Sequence, residues 1–210
     1  SYDTTRFLSA AAVSLTMLVA EMGIAAFLLW VGVRARRPLI VSLVLAQSLL
    51  MLVFELRHGG PHAAAAHDLF VDKFSIIMAL INGVVGGVIF VFALGYMKEF
   101  HEVHHPEIRD RRGLFFGLML IFQSAMFGIV FSNNLLWLFF FWEVTTLCSF
   151  LLIGYKGTEE SRQNALRALT MNLAGGLGFA VGIVWLHARA DTIELGGLLT
   201  GNALVVLGPA

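Results

Sequence analysis

Six stretches of this 210-residue chain are each long and apolar enough to cross a lipid bilayer, and that feature removes most folds from consideration. They cover residues 7–33, 39–56, 74–97, 114–131, 135–155 and 165–187. A bilayer's hydrocarbon core is about 30 Å thick, so a helix rising about 1.5 Å per residue needs roughly 20 apolar residues to span it. No water is at hand there to satisfy backbone N–H and C=O groups, so a spanning segment is a helix or a strand of a closed barrel. The six runs are continuous rather than alternating, which excludes the barrel pattern. Composition agrees. Apolar residues make up 58% of the chain and charged residues 13%, about half the charge of an ordinary soluble domain. The predicted fold is an all-α integral membrane protein with about six transmembrane helices. The first run is long enough to be read as a retained helix rather than a cleaved signal.

The basic residues are unevenly shared between the two sides of these spans. Arg34, Arg36, Arg37, Lys98, Arg109, Arg111, Arg112, Lys156, Arg162 and Arg167 fall on one side, and Arg6, Arg57, Lys73 and Arg189 on the other. Positive charge is retained on the cytoplasmic face, which predicts a multi-pass protein of the cell inner (plasma) membrane with both termini outside. The link between the fourth and fifth spans is only Ser132, Asn133 and Asn134, so those two helices must be antiparallel neighbours. Residues 195–210, LGGLLTGNALVVLGPA, are apolar but short of a span. They read as a surface piece or as the start of a further helix. Formal net charge is zero, which points away from a nucleic-acid partner, and the lone Cys148 excludes an internal disulfide.

An ionisable side chain at bilayer depth costs about 2.5–3.5 kcal/mol to insert and is a functional candidate for that reason. Glu143 lies near the middle of the fifth run, in FFFWEVTTL, and Glu21 lies deep in the first, in MLVAEMGIA. Two readings are open for each: a site that loads and releases a proton, or a permanently neutral acid hydrogen-bonded to a neighbouring helix. Glu55, near the end of the second run, reaches water and is set aside. Gln123 and Ser124 in the fourth run and Asn172 in the sixth read as a secondary proton pathway or, more simply, as interhelical hydrogen-bonding groups. Arg167 either snorkels to the headgroups or completes a charged path. The histidines gather as His58, His62 and His67 and as His101, His104 and His105. Both groups read as solvated loops, and no metal site is assigned.

The stretch NNLLWLFFFWEVTTLCSFLLIGY resembles the fifth helix of the antiporter-like subunits of respiratory complex I, of Mrp-type sodium/proton antiporters and of energy-converting membrane-bound hydrogenases. The context is colinear. LFVDKFSIIMAL, with Asp72, looks like the start of that family's third helix, ALGYMKEF like its end, and RRGLFFGLMLIFQSAMFGIVFSNN like the fourth helix. NALRALTMNLAGGLGF looks like the sixth, with Arg167 at a position often filled by lysine. The similarity covers residues 69–186, while the first two spans match only as generic helices.

The resemblance implies that Glu143 is the key proton-handling acid, with Arg167 as the matching basic residue. It implies that the last three spans correspond to the start of the first of two inverted five-helix repeats. The family's broken seventh helix, with a lysine that tunes the glutamate, has no counterpart in these 210 residues. The expected division is a two-helix segment over residues 1–68, antiporter-like helices over 69–188 and a tail over 189–210. The expected function is translocation of H⁺ or Na⁺ within a redox-driven complex of the complex I (NADH–quinone oxidoreductase) or membrane-bound hydrogenase kind. This chain would hold no cofactor, and partner membrane subunits and a peripheral redox arm would supply the energy. The alternatives are a subunit of an Mrp-type antiporter or carbon-uptake assembly that uses an ion gradient, and a membrane anchor with an idle Glu143.

Overall fold

The computed structural model describes residues 10–59, 68–104, 110–190 and 192–200. Six helices in it are long and apolar enough to cross a membrane. They are α1 (Ala10–Arg34), α2 (Pro38–Phe54), α3 (Lys73–Glu99), α4 (Arg112–Phe131), α5 (Leu135–Ile153) and α6 (Glu159–Ala190), followed by a short α7 (Leu195–Thr200). Residues 7–9 of the expected first span, Arg6, Arg109, His62, His67, His105 and the tail from residue 201 lie outside the described residues.

Local chemistry sets the helix starts. Pro38 opens α2 at a position where its missing N–H removes no helical hydrogen bond. Asp72 caps α3 through a reciprocal pair with Ser75, the Ser75 N–H donating to Asp72 Oδ1 at 2.6 Å and the Asp72 N–H donating to Ser75 Oγ at 2.8 Å. The Ser75 N–H bond to the ionised form is the largest cause holding the Asp72 carboxyl below the usual carboxylate range. The Asn134 side chain caps α5 by accepting from the Leu136 N–H at 2.9 Å. The sixth helix begins at Glu159, six residues ahead of the expected start at Ala165. Its extra turns are polar and project beyond the apolar run. Thr158 Oγ1 accepts from the Ser161 N–H at 3.2 Å, and Glu159 and Glu160 sit at the positive end of the helix dipole.

The three-residue link does make α4 and α5 neighbours, and the end of the bundle that holds it is tied together by backbone hydrogen bonds. The Asn133 N–H donates to the Asp68 carbonyl at 2.8 Å, the Leu135 N–H to Ile193 at 3.0 Å and the Leu195 N–H to Asn133 at 2.8 Å. Asn133 Oδ1 accepts from the Gly196 N–H at 2.8 Å. Leu195–Thr200 is thereby fixed as a short helix whose Leu198 packs into the apolar core.

At the opposite end one expectation is corrected. His101 is not in a solvated loop. The chain continues past α3 through a π-helical turn, Phe100–His104, which carries His101 inward. There His101 is 7% exposed, and its Nε2 lies 2.9 Å from the Tyr155 hydroxyl. Helix and ring packing outweigh the polar character of the local sequence.

The core has two apolar clusters. One joins α1, α2 and α6 through Leu28, Val31, Ile40, Val44, Leu166, Leu169 and Leu173. The other joins α2, α5, α6 and α7 through Met51, Phe54, Leu135, Phe139, Ala180, Ile183 and Leu198. The seam between α2 and α6 runs through both. On α2 its buried residues are Ile40, Val44, Gln47, Met51 and Phe54, and on α6 they include Leu169, Leu173, Gly176, Ala180 and Ile183. The spacing of three and four residues keeps each set on one helix face. Gln47 and Gly176 are where large apolar side chains are interrupted, between the two clusters.

Candidate functional site

Glu143 lies at that interruption. Leu135, Phe139, Glu143 and Thr146 form one buried stripe of α5, so the acid faces the core rather than lipid, and it is 3% exposed. Nine residues separate it from Asn134, placing it about 13 Å from that end of α5 at helical rise, near mid-span. Gln47 enters from α2 and is 2% exposed. It stands ten residues from Arg37, or about 15 Å from the other end of the bundle. The Gln47 side chain is a hydrogen-bonding neighbour of the Glu143 carboxyl. Gly176 supplies the third wall. A Cβ built there would lie 3.0 Å from Gln47 Oε1, 3.1 Å from Glu143 Oε1 and 3.6 Å from Trp142 Nε1. A side chain at 176 would press on all three, so the glycine is what lets α6 approach so closely.

Glu21 of α1 is also buried, at 8% exposure, and lies within electrostatic reach of both Glu143 and Glu55. Glu55 belongs to the π-helical turn, Glu55–Gly59, that extends α2, and it is half-buried. Along the bundle the three acids therefore step from mid-span to the far end of α2. The residue set aside as water-facing is part of this line.

The other sequence candidates fall elsewhere. Gln123 donates from Nε2 to the Asn82 carbonyl at 2.7 Å, joining α4 to α3, and its amide occupies the space a Cβ at Gly86 would fill. Ser124 Oγ donates to the Leu120 carbonyl of its own helix at 2.8 Å. Neither is in the Glu143 cluster. Asn172 is half-buried, one turn from Gly176 on the same side of α6. Arg167 is exposed and stands nine residues from Gly176, about 13 Å along α6. The structure therefore sets it well away from the glutamate's own level.

The sequence reading missed Gln47. The available signal was a lone amide at mid-span in VLAQSLLM, at the same depth as Glu143. Without knowing which faces of α2 and α5 meet, nothing connected the two.

Two family profiles match the chain. One, described as NADH:quinone oxidoreductase/Mrp antiporter, transmembrane, covers residues 132–207. The other, described as NADH-ubiquinone oxidoreductase (complex I), chain 5 N-terminus, covers residues 63–105. The chain belongs to the superfamily of complex I and Mrp antiporter membrane subunits. Among curated relatives of this antiporter-like chain is the Na(+)/H(+) antiporter subunit A1 of Staphylococcus haemolyticus (strain JCSC1435). It is 29% identical over 150 residues, which is 71% of this chain and 18% of the relative. The subunit of the same name from Staphylococcus aureus (strain JH9) is 30% identical over 136 residues, 64% of this chain and 16% of the relative. The antiporter-like chain thus spans less than a fifth of the length of these relatives. Their names favour the gradient-using antiporter, which the sequence reading kept as its alternative, over the redox-driven complex it preferred. A peripheral redox arm finds no support in them.

Proposed function

We propose that this antiporter-like chain is part of an Mrp-type cation/proton antiporter, working with other membrane subunits, in which Glu143 takes up and releases the exchanged proton. The observation that carries the reading is the buried carboxyl at mid-span, held in a polar layer between two apolar clusters. A neutral anchor needs no acid there, and insertion of one is costly. The relatives named as Na(+)/H(+) antiporter subunits support Na⁺ as the counter-ion.

The test uses everted membrane vesicles from cells producing the full-length protein with its partner subunits. A pH gradient is imposed and Na⁺ is added. Na⁺-dependent collapse of the gradient, absent from vesicles of a deletion strain, is the expected result. Vesicles that ignore Na⁺ yet build a gradient when given a reduced electron donor would return the protein to the redox-driven class.

The basic end of the bundle, with the α1–α2 link, Arg111 and the start of α6, is placed at the cytoplasmic face. This follows from the charge bias. Cys148 is 1% exposed, so the native thiol does not compete in labelling. In intact cells an impermeant maleimide is expected to label Leu69→Cys, and Glu160→Cys only after permeabilisation. The reverse pattern would invert the topology.

A further inference from the structure

At the basic end of the bundle, the ends of α4, α5 and α6 enclose a half-open cavity of about 240 Å³. Two guanidinium groups border it, from Arg111 just ahead of α4 and from Arg162 in the polar first turn of α6. Leu114 in the first turn of α4, with Phe150 and Leu151 in the last turn of α5, line it where the apolar spans begin.

Both arginines are held by neighbours. Arg111 lies over the Tyr155 ring, 5.8 Å from its centre, and its Nη2 donates to the Tyr155 carbonyl at 3.3 Å. Tyr155 is itself buried, and its hydroxyl is fixed against His101. Arg162 donates from Nε and Nη2 to the two Glu159 oxygens at 3.0 and 2.9 Å. A guanidinium carries five N–H donors, so each arginine keeps some for a ligand. Charge is also left over. Glu159 offsets Arg162, and Asp110, which precedes Arg111, is engaged by Arg112 at 2.7 Å. Among the described residues no carboxylate pairs with Arg111.

The order of these groups along the bundle identifies the ligand. Positive charge stands at the rim, and apolar walls follow it toward the bilayer. That order suits a molecule that is anionic at headgroup level and hydrocarbon below it. A free phosphate would satisfy the arginines and leave Leu114, Phe150 and Leu151 bare. The cavity is smaller than the roughly 300–1,000 Å³ that holds a drug-sized ligand. It therefore takes a headgroup phosphate and the start of one chain, with the remainder in the bilayer. Basic pockets between transmembrane helices are places where lipid headgroups bind.

We propose that Arg111 and Arg162 bind the phosphate of one anionic phospholipid, with the upper part of an acyl chain against Leu114, Phe150 and Leu151. The paired donors of an arginine fork suit phosphate oxygens. The phosphate joins the start of α4 to the start of α6 around the end of α5. The site requires only the membrane-spanning arrangement and is independent of the antiport reading.

The test uses the full-length protein with its partner subunits in phosphatidylcholine nanodiscs. A fluorophore is attached at Gly113→Cys, beside the cavity, where a Cβ meets nothing within 4 Å. Brominated phosphatidylglycerol is expected to quench it at about fivefold lower mole fraction than brominated phosphatidylcholine, about the worth of one uncompensated basic residue beside anionic lipid. Arg111→Gln should erase that preference, and so should Arg162→Gln, which leaves Glu159 unopposed. Arg111→Lys keeps the charge and should retain most of the preference, which separates loss of charge from a folding defect. Lys98→Gln removes a basic residue at the same end but outside the cavity, and should change nothing. Equal quenching by the two lipids would overturn the site, as would a preference that survives both glutamine substitutions. A preference lost equally in Lys98→Gln would reduce the effect to attraction by the whole basic face. Relief of quenching by inorganic phosphate would replace the lipid with a soluble anion.

Discussion

On the proposed antiport reading, Glu143→Gln in the fully assembled complex is expected to reduce coupled transport to about a hundredth or less, the scale of effect seen when a proton-transferring group is removed. Glutamine nearly preserves shape and can still meet Gln47 and the space at Gly176, but it has no proton to exchange. The loss should therefore come without loss of assembly, checked by subunit content, since a mis-assembled complex also fails to transport. Glu21→Gln is expected to retain most transport. Glu21 approaches the site from α1 and is not one of the side chains gathered at Gly176. Normal Na⁺-dependent gradient collapse by assembled Glu143→Gln would reduce the glutamate to a neutral structural acid.

The second large effect is on stability. Phe139 lies one turn before Glu143 on the buried face of α5, is 1% exposed, and has its ring 5.8 Å from that of Phe179 on α6. Truncating a buried aromatic in a soluble protein costs about 3–5 kcal/mol. Lipid is as apolar as the core, so the water-transfer part of that figure fades while the lost packing remains. Phe139→Ala is expected to cost about 2–3 kcal/mol in reversible unfolding from mixed micelles. Ile121→Ala, at a position 52% exposed, should stay within about 0.5 kcal/mol. Equal effects at the two positions would mean that the Phe139 cluster does not hold α5 to α6.

The spans were legible because hydrocarbon imposes one rule everywhere, and the runs of apolar residues obey it. Glu143 was legible for the complementary reason, as a charge where the solvent forbids one. What the sequence left dark was lateral: which face of each helix meets which neighbour. Gln47 and Gln123 look alike in sequence, each an amide in an apolar run. Only packing separates Gln47, beside the acid, from Gln123, a link between α3 and α4. Arg167 illustrates the same limit along the axis: its nine-residue separation from Gly176 could be counted, but only packing shows that Gly176 marks the level of Glu143. His101 shows that a polar local sequence does not predict exposure when a π-helical turn carries it against Tyr155.

The two apolar clusters that bracket Gln47 and Gly176 also have an electrical meaning. Dry layers on both sides of a polar centre behave as capacitors in series, so the membrane voltage falls mainly across them. A proton arriving at Glu143 from either face has then crossed part of that voltage. Crossing the whole membrane is worth about 2.3 kcal/mol per elementary charge per 100 mV. A site near mid-span takes roughly half, about 1 kcal/mol, or roughly a sixfold change in occupancy. On the proposed reading, the glutamate's position alone would couple its protonation to membrane voltage as well as to pH.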